Sequence, residues 1–294
     1  MKIIENRKKY FAVSLIIILI GFVSMFANHQ AGRGALNWDV EFTGGTSMEI
    51  DMGAKYDAEA LTKIIREVTD QSTPQIQQIM GTNAAEIKLQ SIDSHTRVSL
   101  MNAVWAEYPD AELKEVNDIS GTVSEEMQQA AIKATLIAAA AMLVYISIRF
   151  RDFRAGGSAI LALVHDVLVV LAAYAVFRIP VNNAFIAVLL TILGYSINST
   201  IVIFDRVREN AKKYTAAQTA EKINKSISQT FSRSVNTSLT TLFTIGAVYV
   251  FGVPSIKEFA LPMMVGIIAG AYSSICISGS IWYTLLPKAE KGIE

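Results

Sequence analysis

Two neighbouring ionisable residues, His165 and Asp166, sit inside the apolar run "LVHDVLVV", about ten residues into a stretch long enough to cross a bilayer. A charge at that depth costs a few kcal/mol or more, so the pair must face other helices or water and must find partners. One reading is a hydrogen-bonded fastening between helices. The other is proton handling, because histidine titrates near neutral pH and burial raises a carboxylate's pKa. The residues alone weigh the two evenly.

Two further stretches carry polar groups at membrane depth. "GYSINSTIVIFDRVREN" places Ser196, Asn198, Ser199 and Thr200 within an apolar run and Asp205 at its edge. "FSRSVNTSLTTLFTIG" places Arg233 at the start of another; at 100° per residue, Thr237, Thr240 and Thr244 fall within about 40° of it, with Asn236 and Thr241 at the margins. A hydroxyl stripe of this kind also serves as helix glue, and an arginine at a span end can snorkel to the surface. The coincidence of polar groups on three spans points toward a hydrated path lined by His165, Asp166, Asn198, Ser199, Arg233 and Thr237. Gly266, Gly270, Ser274 and Ser278 recur every four residues, a spacing that lets helix backbones approach closely, including those of a partner subunit. With three histidines and one cysteine, the chain offers no disulfide framework, no metal set and no cofactor site; Cys276 reads as a small apolar residue.

The elements that must position these residues follow from composition. The 294 residues are 52% hydrophobic and 18% charged, too apolar for an ordinary soluble domain. Six runs reach the length a hydrocarbon core requires: 10–27, 130–148, 156–177, 184–204, 234–252 and 261–286. The first has a basic flank like a signal peptide, but its 18-residue run is long for an h-region and "SMFANHQ" is a poor cleavage site, so it reads as a retained helix. Lys and Arg gather before span one, between spans two and three (Arg149, Arg151, Arg154), between spans four and five, and after span six (Lys288, Lys291). By the positive-inside rule, the termini 1–9 and 287–294 are cytoplasmic, as is the loop 205–233. In that loop, Ile223, Ile227 and Phe231 mark an amphipathic helix that lies on the inner membrane surface or meets another protein's loop.

The region 28–129 then faces outward. It holds seventeen Asp and Glu against seven Lys and Arg, which excludes nucleic acid as a partner. "NWDVEFTGGTSMEIDM" alternates like a strand, and "DAEALTKIIREV" puts Leu61, Ile64, Ile65 and Val68 at helical spacing after an Asp57 cap. "QIQQIM" and "AEIKLQSI" read as strands around a turn at Gly81-Thr82-Asn83, "HTRVSLMNAVWAEYP" as a helix with Val98, Met101, Val104 and Trp105 on one face, and "AELKEVNDI" as a closing strand. The order β-α-β-β-α-β suggests a small α+β ferredoxin-like domain whose open sheet suits either protein contact or a structural cap. "TVSEEMQQAA" is helical and runs straight into span two, which would couple domain orientation to movement of that helix.

Four stretches carry a family resemblance: "VEFTGGT" with Glu41, Phe42, Gly44 and Gly45, "ALVHDVLVV", "GYSINSTIVIFDRVREN" and "NKSISQTFSRSVNTSLTTL". Over nearly the whole chain the sequence resembles the SecF family of the bacterial SecDF protein-export complex, within the RND superfamily. The resemblance implies an α-helical polytopic membrane protein, one RND-type half of six transmembrane helices with a ferredoxin-like extracytoplasmic domain between the first two. It implies a heterodimer with SecD, association with the SecYEG translocon and SecA, contact with the translocating preprotein, and use of the proton motive force without enzymatic activity. Where the family motif has "INDT", this chain has "INST", so Ser199 replaces the usual aspartate; Arg233 matches the family's functional arginine. The competing readings are half of an RND-type small-molecule or lipid transporter, which needs a substrate-sized apolar pocket outside the membrane, and a purely structural assembly factor.

Overall fold

The structure, a computed structural model, describes residues 1–71, 74–79, 82–150 and 152–287. Gly81 of the expected turn, Arg151 and the tail with Lys288 and Lys291 lie outside the described residues. The chain divides into two compact units: Met1–Leu36, Ala134–Ile179 and Ala184–Glu294 in one, Asn37–Lys133 and Pro180–Asn183 in the other.

Among the described residues, six helices are long and apolar enough to cross a membrane, so the protein is a multi-pass α-helical membrane protein. They are α1 (Arg7–Gln30), α5 (Gly121–Phe150), α6 (Phe153–Phe177), α7 (Asn183–Asn210), α8 (Thr219–Phe251), and α9 (Pro254–Tyr272) with α10 (Gly279–Leu285), the last two joined by a π-helical stretch, Ser273–Ser278. Half or more of the apolar windows of α6, α7 and α9–α10 is buried, against 11%, 6% and 11% for α1, α5 and α8. The first set therefore makes an inner layer, and the second presents Leu, Ile, Val and Phe outward, where acyl chains or another membrane protein meet them. Small side chains set this order. Gly21 of α1 lies so close to Ala172 of α6 that a Cβ there would overlap the alanine's, and the Ala175 carbonyl accepts bonds from Ser24 Oγ and Asn28 Nδ2.

The stretch read as a separate surface helix is instead the beginning of α8, continuous with the fifth span. Ile223 and Ile227 are completely buried, packed beside Gly279 within the core of this unit, so their face meets protein rather than headgroups; Phe231 remains exposed. Their cover includes the N-terminus, whose Ile3 and Ile4 amides both donate to Asn224 Oδ1 at 2.9 and 3.1 Å.

In the other unit a four-stranded antiparallel sheet has the order β3–β4–β2–β5, formed by β2 (Gly45–Asp51), β3 (Gln75–Gln78), β4 (Ala84–Leu89) and β5 (Glu112–Ile119). Helices α3 (Ala58–Thr69) and α4 (Ser94–Glu107) supply Leu61, Ile65, Leu100, Met101 and Val104 to a core with Met48, Ile50 and Ile87 of the sheet. Asp57 caps α3 by accepting the Glu59 amide. The inward face of α4 differs from its expected one: Val98 and Trp105 are exposed, and Leu100 takes the buried position, because helix and sheet meet along the Leu100–Val104 edge. On the opposite face of the sheet, Ser47 pairs with Lys88 and Glu49 with both Glu86 and Glu115. A two-stranded parallel pair, β1 (Asn37–Trp38) with β6 (Pro180–Val181), completes the unit.

"VEFT" is not strand but the short helix α2 (Val40–Thr43). Asp39 caps it, and two glycines at positive φ, Gly44 at 70° and Gly45 at 127°, turn the chain into β2. Any Cβ on Gly45 would strike the Leu89 carbonyl.

Candidate intramembrane polar site

Helix α6 carries His165 and Asp166 into the middle of the inner layer, where Asp166 is completely buried and His165 is 8% exposed. His165 Nδ1 lies 2.9 Å from Asp166 Oδ1. Asp166 Oδ2 accepts Ser196 Oγ of α7 at 2.5 Å and Ser273 Oγ of the π-helical stretch at 2.8 Å. One carboxylate thus ties together three membrane segments. A second polar layer adjoins it: Ser274 Oγ meets Thr200 Oγ1 at 3.0 Å and donates to the Ser196 carbonyl.

These bonds limit where protons can reside. An ionised carboxylate only accepts, so with Asp166 charged the two serines donate and Nδ1 carries the imidazole proton. His165 Nε2 is then a bare lone pair, buried and without a hydrogen-bond partner among the described residues; the ring of Tyr272 lies 6.1 Å away, centroid to centroid. The bare Nε2 is the position at which an imidazolium would form beside the carboxylate.

The other expected path residues do not join this hub. Asn198 is exposed on α7, as are Arg233, Asn236, Thr237, Thr240 and Thr244 on α8. Ser199 is buried but returns its hydroxyl to the Tyr195 carbonyl at 3.4 Å. The threonines likewise bond back, Thr237 Oγ1 to the Arg233 carbonyl at 2.8 Å and Thr240 Oγ1 to that of Thr237 at 2.9 Å. Tyr195 hydroxyl donates to Ser238 Oγ at 3.0 Å and joins α7 to α8. The polar residues therefore form two groups, a buried hub and an outward-facing strip, because the helical phase of α7 sends Ser196 inward and Asn198 outward.

The small-residue stripe of span six packs on α7 of the same chain. A Cβ on Gly266 would overlap Ile192, one on Gly270 would lie 3.0 Å from Ser196 Cβ, and Ser274 bonds as described; Ser278 Oγ returns to the Ser274 carbonyl. Cys276 is buried. In the sheet-bearing unit, Glu41 Oε2 accepts the Asn183 amide at 2.6 Å, and buried Phe42 meets Trp38 edge to face. Gly44 and Gly45 make the turn into β2. This motif builds the unit's framework.

Ser196 was read only as one polar residue of its span, not as a partner of Asp166, and Ser273 was not read from the sequence. Ser196 had a signal, since it lies within the polar "GYSINST" stretch. Ser273 had none at 100° per residue, because the π-helical stretch changes the phase and buries all six of its residues, Ser273–Ser278.

Residues 100–288 match the family model described as protein export membrane protein SecD/SecF, C-terminal. The protein translocase subunit SecF of Sebaldella termitidis is 34% identical over 301 residues, covering 99% of this chain and 95% of that protein. That of Haemophilus influenzae is 33% identical over 301 residues, covering 98% and 89%. A crystal structure of SecDF from Thermus thermophilus, described as a translocon-associated membrane protein, superposes with a TM-score of 0.85 at 32% identity over 96% of this chain. This chain spans 38% of that SecDF chain. A second SecDF structure, in a super-membrane-facing form, gives a TM-score of 0.67 at 31% identity with the same coverages. The chain therefore belongs to the SecD/SecF family of protein export membrane proteins.

Proposed function

We propose that this chain is the SecF half of a SecDF-type complex in the bacterial cytoplasmic membrane. It pairs with SecD and uses the proton motive force to promote export of preproteins through SecYEG after SecA has driven them in. Both termini are cytoplasmic, and the sheet-bearing unit is a ferredoxin-like extracytoplasmic domain.

The observation that carries this reading is the exposed strip of Arg233, Asn236, Thr237 and Thr240 on α8, with Asn198 exposed on α7. Facing acyl chains, an arginine with an asparagine one turn on costs several kcal/mol, so the strip calls for a second membrane protein, and a SecD half supplies one. The buried hub supports proton coupling: Asp166 and His165 offer two places for a proton, and Ser199 offers none. One charge crossing 100 mV gains about 2.3 kcal/mol, enough to bias a two-state movement more than tenfold. No covalent chemistry is required. The cavity of about 480 Å³ in the sheet-bearing unit is lined largely by polar groups, including Lys88, Gln71 and Gln75, and is unlike the apolar pocket of a small-molecule transporter.

The test compares preprotein export into vesicles with and without a proton gradient for wild type, Arg233→Met and Asp166→Asn. Loss of the gradient-dependent component with complex formation preserved supports the reading. Equal export and equal gradient response in all three would reduce the chain to an assembly factor.

A further inference from the structure

The seam between α1 and α6 holds two buried polar atoms facing one another. Ser14 and Gly21 are the buried residues of α1, and a spacing of seven puts them on one helix face. His165 and Ala172, both buried, share a face of α6 by the same spacing. The two helices run parallel, since Gly21 meets Ala172 while Ser24 and Asn28, further along, bond the Ala175 carbonyl. Two turns back along both helices from the contact of Gly21 with Ala172, Ser14 therefore comes opposite His165. Ser14 is 6% exposed and His165 8%, and neither Ser14 Oγ nor His165 Nε2 has a hydrogen bond of full geometry among the described residues. Tyr272 closes the third side. Its ring centroid lies 6.1 Å from that of His165, and Ser14 Oγ lies beside its hydroxyl. That hydroxyl donates to the carbonyl of Tyr10, in the first turn of α1, at 2.8 Å.

We infer that this seam is the proton route to the hub: Ser14 exchanges a proton with His165 Nε2, and Tyr272 exchanges one with Ser14. The inference rests on reading Asp166 and His165 as a proton site. Three observations carry it. Two orphaned polar atoms buried opposite each other cost free energy that a purely structural seam avoids with alanine, as it does at Ala172. The bond to the Tyr10 carbonyl uses the phenol's proton and leaves its oxygen lone pairs open to Ser14. Tyr10 follows Arg7, Lys8 and Lys9 at the start of α1, so the route opens at the basic end of the bundle. On unloading, the His165 Nε2–H bond breaks as Ser14 Oγ takes that proton on a lone pair. The serine's own O–H proton passes to the Tyr272 oxygen, and the phenol's proton leaves to water. The reverse order loads the ring; each hydroxyl ends with one proton, and no oxidation or reduction occurs. Asp166, Tyr272, Tyr10 and Cys276 are the titratable groups around the seam, and α7 contributes the Ser196 hydroxyl.

The experiment uses the full chain carrying His29→Gln and His95→Gln, which leaves His165 as the one histidine of three. With the imidazole isotopically labelled and the protein in bilayer discs, time-resolved infrared spectroscopy follows ring protonation after a drop from about pH 8 to about pH 5. Ser14→Ala and Tyr272→Phe should each slow the approach on the order of a hundredfold while leaving its final amplitude unchanged, and Ser14→Thr should keep the original rate. A merely structural role would alter the amplitude rather than the rate alone. An equal rate in Ser14→Ala overturns the inference, as does a slowing that Ser14→Thr shares; either result leaves the hub a proton site reached from elsewhere. A ring that never protonates overturns the inference together with the reading of the hub.

Discussion

Ser196 Oγ donates to Asp166 Oδ2 at 2.5 Å, fully buried, joining α7 to α6 inside the membrane layer. Ser196→Ala should cost about 0.6 kcal/mol and at most about 1.7, the range for interhelical hydrogen bonds in membranes. Asp166→Ala should cost at least twice that, because Ser273 and His165 lose the same carboxylate. Unfolding in mixed detergent micelles measures both. Equal costs would show that Ser273 and His165 do not depend on Asp166.

The contact of Gly266 with Ile192 leaves no room for a methyl group. Gly266→Ala should destabilise the helix bundle by about 1–3 kcal/mol through overpacking. Adding Ile192→Ala, which removes the overlapping atoms, should recover a large part of that cost. Thermal inactivation of the two single variants and the double variant in detergent gives the coupling directly; strictly additive costs would place the strain elsewhere.

Gly45 combines φ of 127° with a Leu89 carbonyl where its Cβ would be. Gly45→Ala should therefore cost about 1–3 kcal/mol from backbone strain alone, with the steric overlap in addition. Because the strand that follows supplies Met48 and Ile50 to the core, limited proteolysis of the full chain should cut the sheet-bearing unit faster in the variant than in wild type.

Lys88 is 7% exposed, with Nζ 2.9 Å from Asp39 Oδ2 and 3.3 Å from Glu86 Oε2. Burial opposes its charge, but the Glu86 and Asp39 carboxylates outweigh that and raise its pKa above the usual 10.5. A raised folded value means that the stabilisation is complete below pH 10.5 and is lost as pH climbs through the folded pKa. Glu86 is raised too, chiefly by burial, so its ionisation opposes folding and its share of stability grows as pH falls through its folded pKa. Lys88→Met should cost about 3–5 kcal/mol at neutral pH by leaving two carboxylates without their cation, and should abolish the alkaline loss. Denaturation midpoints from neutral pH to beyond pH 11 test the sign.

Local composition made much of the architecture legible. Runs of about 20 apolar residues marked the six helices, since an element crossing a bilayer must satisfy its backbone bonds internally and its side-chain character follows directly. Leu61 and Ile65 showed the buried face of α3, and Asp57 its start, because both signals lie within a few residues of chain. The depth of His165 and Asp166 demanded partners that the sequence could not name. Ser196 lies 30 residues away and Ser273 lies 107, on a stretch whose π-helical phase no regular periodicity anticipates.

The sequence by itself determined that this is a helical membrane protein with a buried acid and histidine and a separate α+β region, because hydropathy and helical or strand period are written residue by residue. Only the tertiary structure decided that the polar residues divide into a buried hub and an outward strip. It also placed Ile223 and Ile227 inside the bundle with the N-terminal amides on Asn224, and seated the glycines of span six against Ile192 and Ser196. Those outcomes depend on which helix faces which, and that is set by packing among residues far apart in the chain.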